Sequence, residues 1–112
     1  MRYGLPLVIH TRDAWDEMCG VLEEYRGRGV RGVMHSFCGI SGLLPEIGIE
    51  RAVLETDAPY LTPVPFRGKR NESAYVRYVC AKVAELCGTD ERRVEEATER
   101  NVRAMFGDSI FC

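Results

Sequence analysis

Three short apolar runs, each stopping on a side chain capable of chemistry, constrain this chain more than any other feature. Leu5-Pro6-Leu7-Val8-Ile9 stops at His10; residues 29–34 stop at His35; residues 51–54 stop at Glu55-Thr56-Asp57. Near-continuous apolar runs of this length, with helical sequence between them, predict short buried strands of a parallel sheet. Between the first two runs, Trp15, Met18, Leu22 and Tyr25 fall on one helical stripe. That stripe predicts a helix over residues 13–25, with Asp13 as its N-cap and Asp16 and Glu17 in its first turn, where acidic side chains suit the helix dipole. Gly27 and Gly29 end it, and the whole reads as a strand–helix–strand crossover.

The C-terminal part predicts two amphipathic helices. Asn71 or Ser73 can cap the first, whose stripe is Val76, Val79, Cys80, Val83, Leu86 and Cys87, and Gly88 closes it. Thr89 or Asp90 starts the second, with Val94, Ala97, Val102, Met105 and Phe106 inward and Gly107 as the stop. Each needs a sheet or another helix to cover its apolar face.

Length sets the ceiling on this architecture. A complete eightfold barrel of alternating strands and helices needs about 250 residues, and this chain has 112. The expectation is one domain over residues 1–112. No apolar run approaches the ~18–20 residues of a membrane span. Pro6, His10, Arg12 and Asp13 interrupt the apolar stretch that a secretory signal would need. Five cysteines without a C-x-x-C spacing suit a disulfide framework poorly, and Cys80 and Cys87 read as small buried hydrophobes. A reduced, cytoplasmic setting fits. With a net charge of −2, a strongly basic nucleic-acid coat is excluded, while a local basic patch is not.

The chemistry gathers at the ends of the runs. In parallel α/β folds ligands bind at the carboxyl ends of the strands. His10, His35 and Asp57 on one rim would offer imidazole and carboxylate ligands to a common metal. For one lone histidine a plain hydrogen-bonding role is the better reading; three strand ends together favour a site. Arg67-Gly68-Lys69-Arg70 places three positive charges in four residues ahead of a helix start, where Arg, Lys and backbone N–H groups can hold an anion. The bland alternative is a solvated loop. No G-x-x-x-x-G-K-[ST] or G-x-G-x-x-G loop is present.

The blocks Leu5-Pro-Leu-Val-Ile-His10-Thr-Arg-Asp-Ala14, His35-Ser-Phe-Cys-Gly39 and Leu54-Glu-Thr-Asp57-Ala-Pro-Tyr-Leu-Thr-Pro-Val-Pro-Phe-Arg-Gly-Lys-Arg-Asn71-Glu, in this order, resemble the TatD family of metal-dependent deoxyribonucleases. The resemblance implies a partial (β/α) TIM-barrel-like fold with parallel strands, incomplete relative to a full (β/α)8 barrel. It implies hydrolysis of phosphodiester bonds in DNA through divalent metals (Mg, Mn or Zn) at the C-terminal rim. Carried over residue by residue, His10, His35 and Asp57 are metal ligands, and Asp57 also helps activate water. Glu55 supports them, and Arg67, Lys69, Arg70 and Asn71 bind substrate phosphate or support the loop. The family's opening His-x-His strand and a later bridging Glu have no counterpart here. A strand–helix unit of about 30 residues is also absent between Gly39 and Ile47, where only a short bridge stands. A partner chain or a second copy is the expected means of completing such a barrel. The rival readings are a non-catalytic remnant or interaction module of the family, and a related metal-dependent barrel hydrolase acting on another substrate.

Overall fold

The computed structural model describes residues 3–35 and 44–111, and the chain divides into two compact units, Met1–Phe37 and Cys38–Cys112. The expected block from Ser36 to Gly39, the first part of the short bridge, and Cys38 and Cys112 lie outside the described residues.

The first unit is the predicted crossover. Strand β1 (Leu7–His10) leads through helix α1 (Trp15–Glu24) to strand β2 (Gly32–His35). The two strands pair in parallel, Leu7 with Gly32, Val8 with Val33, Ile9 with Met34 and His10 with His35. Gly32 is required at the head of this register: a Cβ there would lie 2.5 Å from the Leu7 carbonyl oxygen. Helix α1 starts later than expected and without the predicted cap. Its N-cap is Ala14, which makes no side-chain bond, while Asp13 sits at φ 51° just ahead of it. The positive φ takes Asp13 out of the extended conformation from which a capping side chain reaches back to the first turn. Gly27 and Gly29, both at positive φ, carry the chain out of the helix as predicted.

The predicted burial of these elements is not met. Leu7 and Val8 are exposed, and no residue of α1 is buried. One helix can cover only one face of a two-stranded sheet, whereas parallel sheets are ordinarily covered on both. Even the helix–sheet side is loosely filled: Ile9, Leu22, Tyr25, Val30 and Met34 line a groove of about 480 Å³.

Among the described residues, the second unit starts with the one-turn helix α2 (Leu44–Ile47) and a 3-10 turn, Ile49–Arg51. The third predicted strand, residues 51–54, is therefore not a strand. Ala52 has extended dihedrals, yet among the described residues no other strand pairs with this segment. An extended backbone becomes a strand only when a neighbour supplies the ladder. Then come a 3-10 turn, Ser73–Tyr75, helix α3 (Val76–Leu86) and helix α4 (Glu91–Phe106). Neither Asn71 nor Ser73 caps α3, since the 3-10 turn intervenes.

Gly88 closes α3 as predicted. At φ 62° it turns the chain so that its N–H reaches the Glu85 carbonyl, while the Thr89 N–H reaches that of Ala84 at 3.0 Å, a Schellman closure. Of the two candidate starts for α4, Asp90 is the cap: its Oδ1 accepts the Arg93 N–H at 2.8 Å. The core forms from Cys80, Val83, Ala84 and Val94, with Leu44, Ile49, Leu54, Val79 and Cys87 packed against it. Cys80 and Cys87 sit in or against it as free thiols, as the sequence predicts. Thr98, not predicted inside, is buried because its hydroxyl donates to the Val94 carbonyl one turn back. Phe106, predicted inward, is 36% exposed at the end of α4.

Candidate functional site

The histidines are placed by the ladder. Parallel pairing sets His10 level with His35 on the neighbouring strand, so their rings meet. Nδ1 of His10 lies 3.1 Å from Nδ1 of His35, with ring centroids 5.4 Å apart. As a hydrogen bond, this contact needs one Nδ1 protonated and the other bare. With both bare, the same pair chelates a cation. Two imidazole nitrogens bound at about 2.0–2.1 Å in tetrahedral geometry stand about 3.4 Å apart, within a few tenths of an ångström of the observed spacing. The donor set therefore fits a divalent metal on geometry as well as chemistry.

The acidic residues belong to the second unit. Leu54 packs against the core, and the chain then leaves it through Glu55-Thr56-Asp57. The turn bearing Asp57 is held by its neighbours. The Thr56 hydroxyl oxygen accepts the Ala58 N–H at 3.2 Å and Asn71 Nδ2 at 3.0 Å, and the Tyr60 N–H donates to the Asp57 carbonyl at 2.8 Å. Carboxylates on a fixed turn are hard oxygen donors of the kind that join imidazoles around Mg, Mn or Zn.

The basic motif divides. Arg67, Lys69 and Arg70 are exposed. Lys69 Nζ lies 6.0 Å from the centroid of Phe66, which stacks on Tyr75 at 4.7 Å and meets Tyr78 edge-on at 5.4 Å. Asn71 instead turns inward, 4% exposed. Its Nδ2 donates to the Tyr60 carbonyl at 2.7 Å as well as to Thr56, and its Oδ1 accepts the Glu72 N–H at 2.9 Å. Three cations face water; the amide beside them locks the loop.

Two positioning residues escaped the sequence reading. Thr56 is one. Asn101 is the other: from α4 its Nδ2 donates to the carbonyls of Ile49 at 2.9 Å and Ala52 at 2.7 Å, fixing the segment that leads to Glu55 and Asp57. A signal existed, since Asn101 lies four residues after Ala97 on the inward stripe of α4, and a polar side chain there needs partners.

A βαβ crossover ending in paired imidazoles, with a separate carboxylate turn followed by a basic loop, defines an α/β chain whose donor groups suit a divalent metal. The TatD related DNase family model matches residues 1–47 and 40–107, and the chain belongs to that family. It is 33% identical to the uncharacterized metal-dependent hydrolase YabD of Bacillus subtilis, over 92% of this chain and 51% of the relative. It is 32% identical to the 3'-5' ssDNA/RNA exonuclease TatD of Klebsiella pneumoniae, over 96% of this chain and 53% of the relative. With the uncharacterized metal-dependent hydrolase YcfH of Escherichia coli it shares 30% identity over 90% of this chain and 49% of the relative. The chain spans about half the length of these relatives, whose names describe metal-dependent hydrolases and an exonuclease. The alignment with YabD runs over 131 positions against 112 residues here, and the family match falls in two stretches that meet at residues 40–47. Both features agree with the short bridge read from the sequence.

Proposed function

We propose that this chain provides part of the active site of a nuclease that hydrolyses phosphodiester bonds in single-stranded DNA with divalent metal. The observation that carries the reading is the His10–His35 pair, two imidazole nitrogens 3.1 Å apart at the ends of adjacent parallel strands. His10, His35 and Asp57 would hold the metal, with Glu55 in support. Bound there, the metal would supply Lewis acidity toward a phosphoryl oxygen and a lowered pKa for bound water. The chain's own contribution is placement. The ladder holds the two rings level, Thr56 and Asn71 keep the Asp57 turn rigid, and the Asp57 carboxylate orients water and takes its proton. Arg67, Lys69 and Arg70 bring the phosphate backbone to the loop through charge-assisted hydrogen bonds, while Asn71 supports that loop from within.

The barrel architecture of the family belongs to the same proposal. Residues 1–112 form one partial barrel domain, and a partner chain or second copy covers the strands that expose Leu7 and Val8. A cytoplasmic setting accords with Cys19, Cys80 and Cys87 as free thiols; no helix of the described residues is long and apolar enough to cross a membrane. The test is hydrolysis of single-stranded DNA with Mg²⁺ or Mn²⁺ by the purified chain. The His10→Ala/His35→Ala double variant, prepared identically, controls for contaminating nuclease. Activity lost in the variant supports the reading; activity absent or equal in both makes this a non-catalytic member of the family.

A further inference from the structure

The loop after Asp57 displays a feature that metal ligation leaves unused. Tyr60, Leu61 and Val64 are 73%, 69% and 64% exposed, three large apolar side chains turned to water within five residues. The loop is tied down. The Asn71 N–H donates to the Pro59 carbonyl at 3.0 Å, Asn71 Nδ2 donates to the Tyr60 carbonyl at 2.7 Å, and the Thr62 hydroxyl donates to the Lys69 carbonyl. Leu61 is held at φ 51°, a left-handed conformation that a branched side chain rarely adopts and that persists only where the surroundings impose it. These ties set the backbone of residues 59–62 beside that of residues 69–71, so the stretch that carries exposed Tyr60 runs alongside the cationic segment. Among the described residues no carboxylate pairs with Arg67, Lys69 or Arg70.

An exposed aromatic side chain on a tied-down loop that runs alongside cations without carboxylate partners is complementary to one kind of ligand: a flat apolar ring attached to a chain of negative charges. Single-stranded nucleic acid has that chemistry, and stacking of a base on an aromatic side chain is its usual mode of capture. A base inside a duplex has neither face free. We propose that Tyr60, with Leu61 beside it, is the stacking platform for an unpaired base of single-stranded DNA whose adjoining phosphates are held by Arg67, Lys69 and Arg70. This rests on the nuclease reading above and identifies the side chain that makes such a site prefer an unpaired strand.

The test separates binding from hydrolysis. Fluorescence anisotropy, with the whole chain in EDTA, compares a labelled oligothymidylate with an abasic strand of equal length. The wild-type chain is expected to bind the thymidylate about fivefold or more tightly. Tyr60→Ala, at an exposed position where folding is not at stake, should abolish that difference and leave the abasic strand's affinity in place; Tyr60→Phe should retain it. Arg67→Gln with Arg70→Gln should weaken both strands alike. No difference in the wild-type chain, a difference that survives Tyr60→Ala, or equal loss on both strands would overturn the platform. Metal-dependent hydrolysis that disappears with His10→Ala/His35→Ala, found together with any of those results, would leave the nuclease reading standing. A base-dependent difference without such hydrolysis would support the platform and sink the nuclease.

Discussion

Asp57 and Asn71 illustrate two ways in which a residue can serve one loop. Asp57 offers a carboxylate, so Asp57→Asn keeps the shape and removes the charge. Metal-dependent hydrolysis should fall about 100-fold or more with the melting curve nearly unchanged; unchanged turnover would remove Asp57 from the chemistry. Asn71 makes three side-chain hydrogen bonds from a buried position. Asn71→Ala should cost about 2 kcal/mol and lower Tm by roughly 10 °C, as read by circular dichroism. Cys80 shows the environment acting on a residue with no site role. Burial pushes its thiol pKa up, and the charges of Glu95 and Glu91 add to the shift. The folded chain therefore favours the neutral thiol. This contribution to stability is intact at neutral pH and is lost as the pH rises above the ordinary thiol range, where the unfolded chain ionises first. Near pH 8 a thiol reagent should label exposed Cys19 quickly and Cys80 only on unfolding; equal rates would contradict the burial.

At the scale of elements, register decides whether the two histidine rings meet. A one-residue slip of β1 against β2 would separate His10 from His35, and the close passage of the Leu7 carbonyl over Gly32 guards against it. Gly32→Ala puts a methyl group 2.5 Å from that oxygen, so the strands must part. The expected result is weaker divalent-metal affinity by calorimetry, although neither histidine is altered. Metal affinity equal to that of the wild-type chain would show that the pairing does not set the ligand geometry. Asp90→Ala, which removes the cap of α4, should cost about 1 kcal/mol with no effect on metal.

For the whole molecule, the contrast between the two units matters most. The second buries a core around Val94, which is 0% exposed, whereas the first exposes Leu7, Val8, Trp15 and Val21. Apolar side chains left in water on a parallel strand pair and its helix are an incentive to associate. The expected outcome in sedimentation is a species heavier than 12.7 kDa that dissociates when Val8 is replaced by Ser. A monomer at all concentrations would mean that this face has no copy of itself as partner.

How much was legible beforehand follows the range of the interactions. Helical periodicity, a cap at Thr89 or Asp90, the glycine stops and the strand–helix–strand order act over a few residues, so the sequence by itself determined them, along with the family. It also singled out His10 and His35, which the ladder sets side by side, and Glu55 and Asp57, though not the Thr56 hydroxyl that fixes their turn. Only the tertiary structure decided that residues 51–54 stay outside a ladder, because pairing needs a neighbour that local sequence does not supply. In the same way it decided that Asp13 does not cap its helix, and that Asn71 and Asn101 hold the Asp57 segment instead of facing water. Asn71 Nδ2 finds its partners 11 and 15 residues away and half-buried Asn101 finds its own about 50 away, and such distances become contacts only once the backbone has folded.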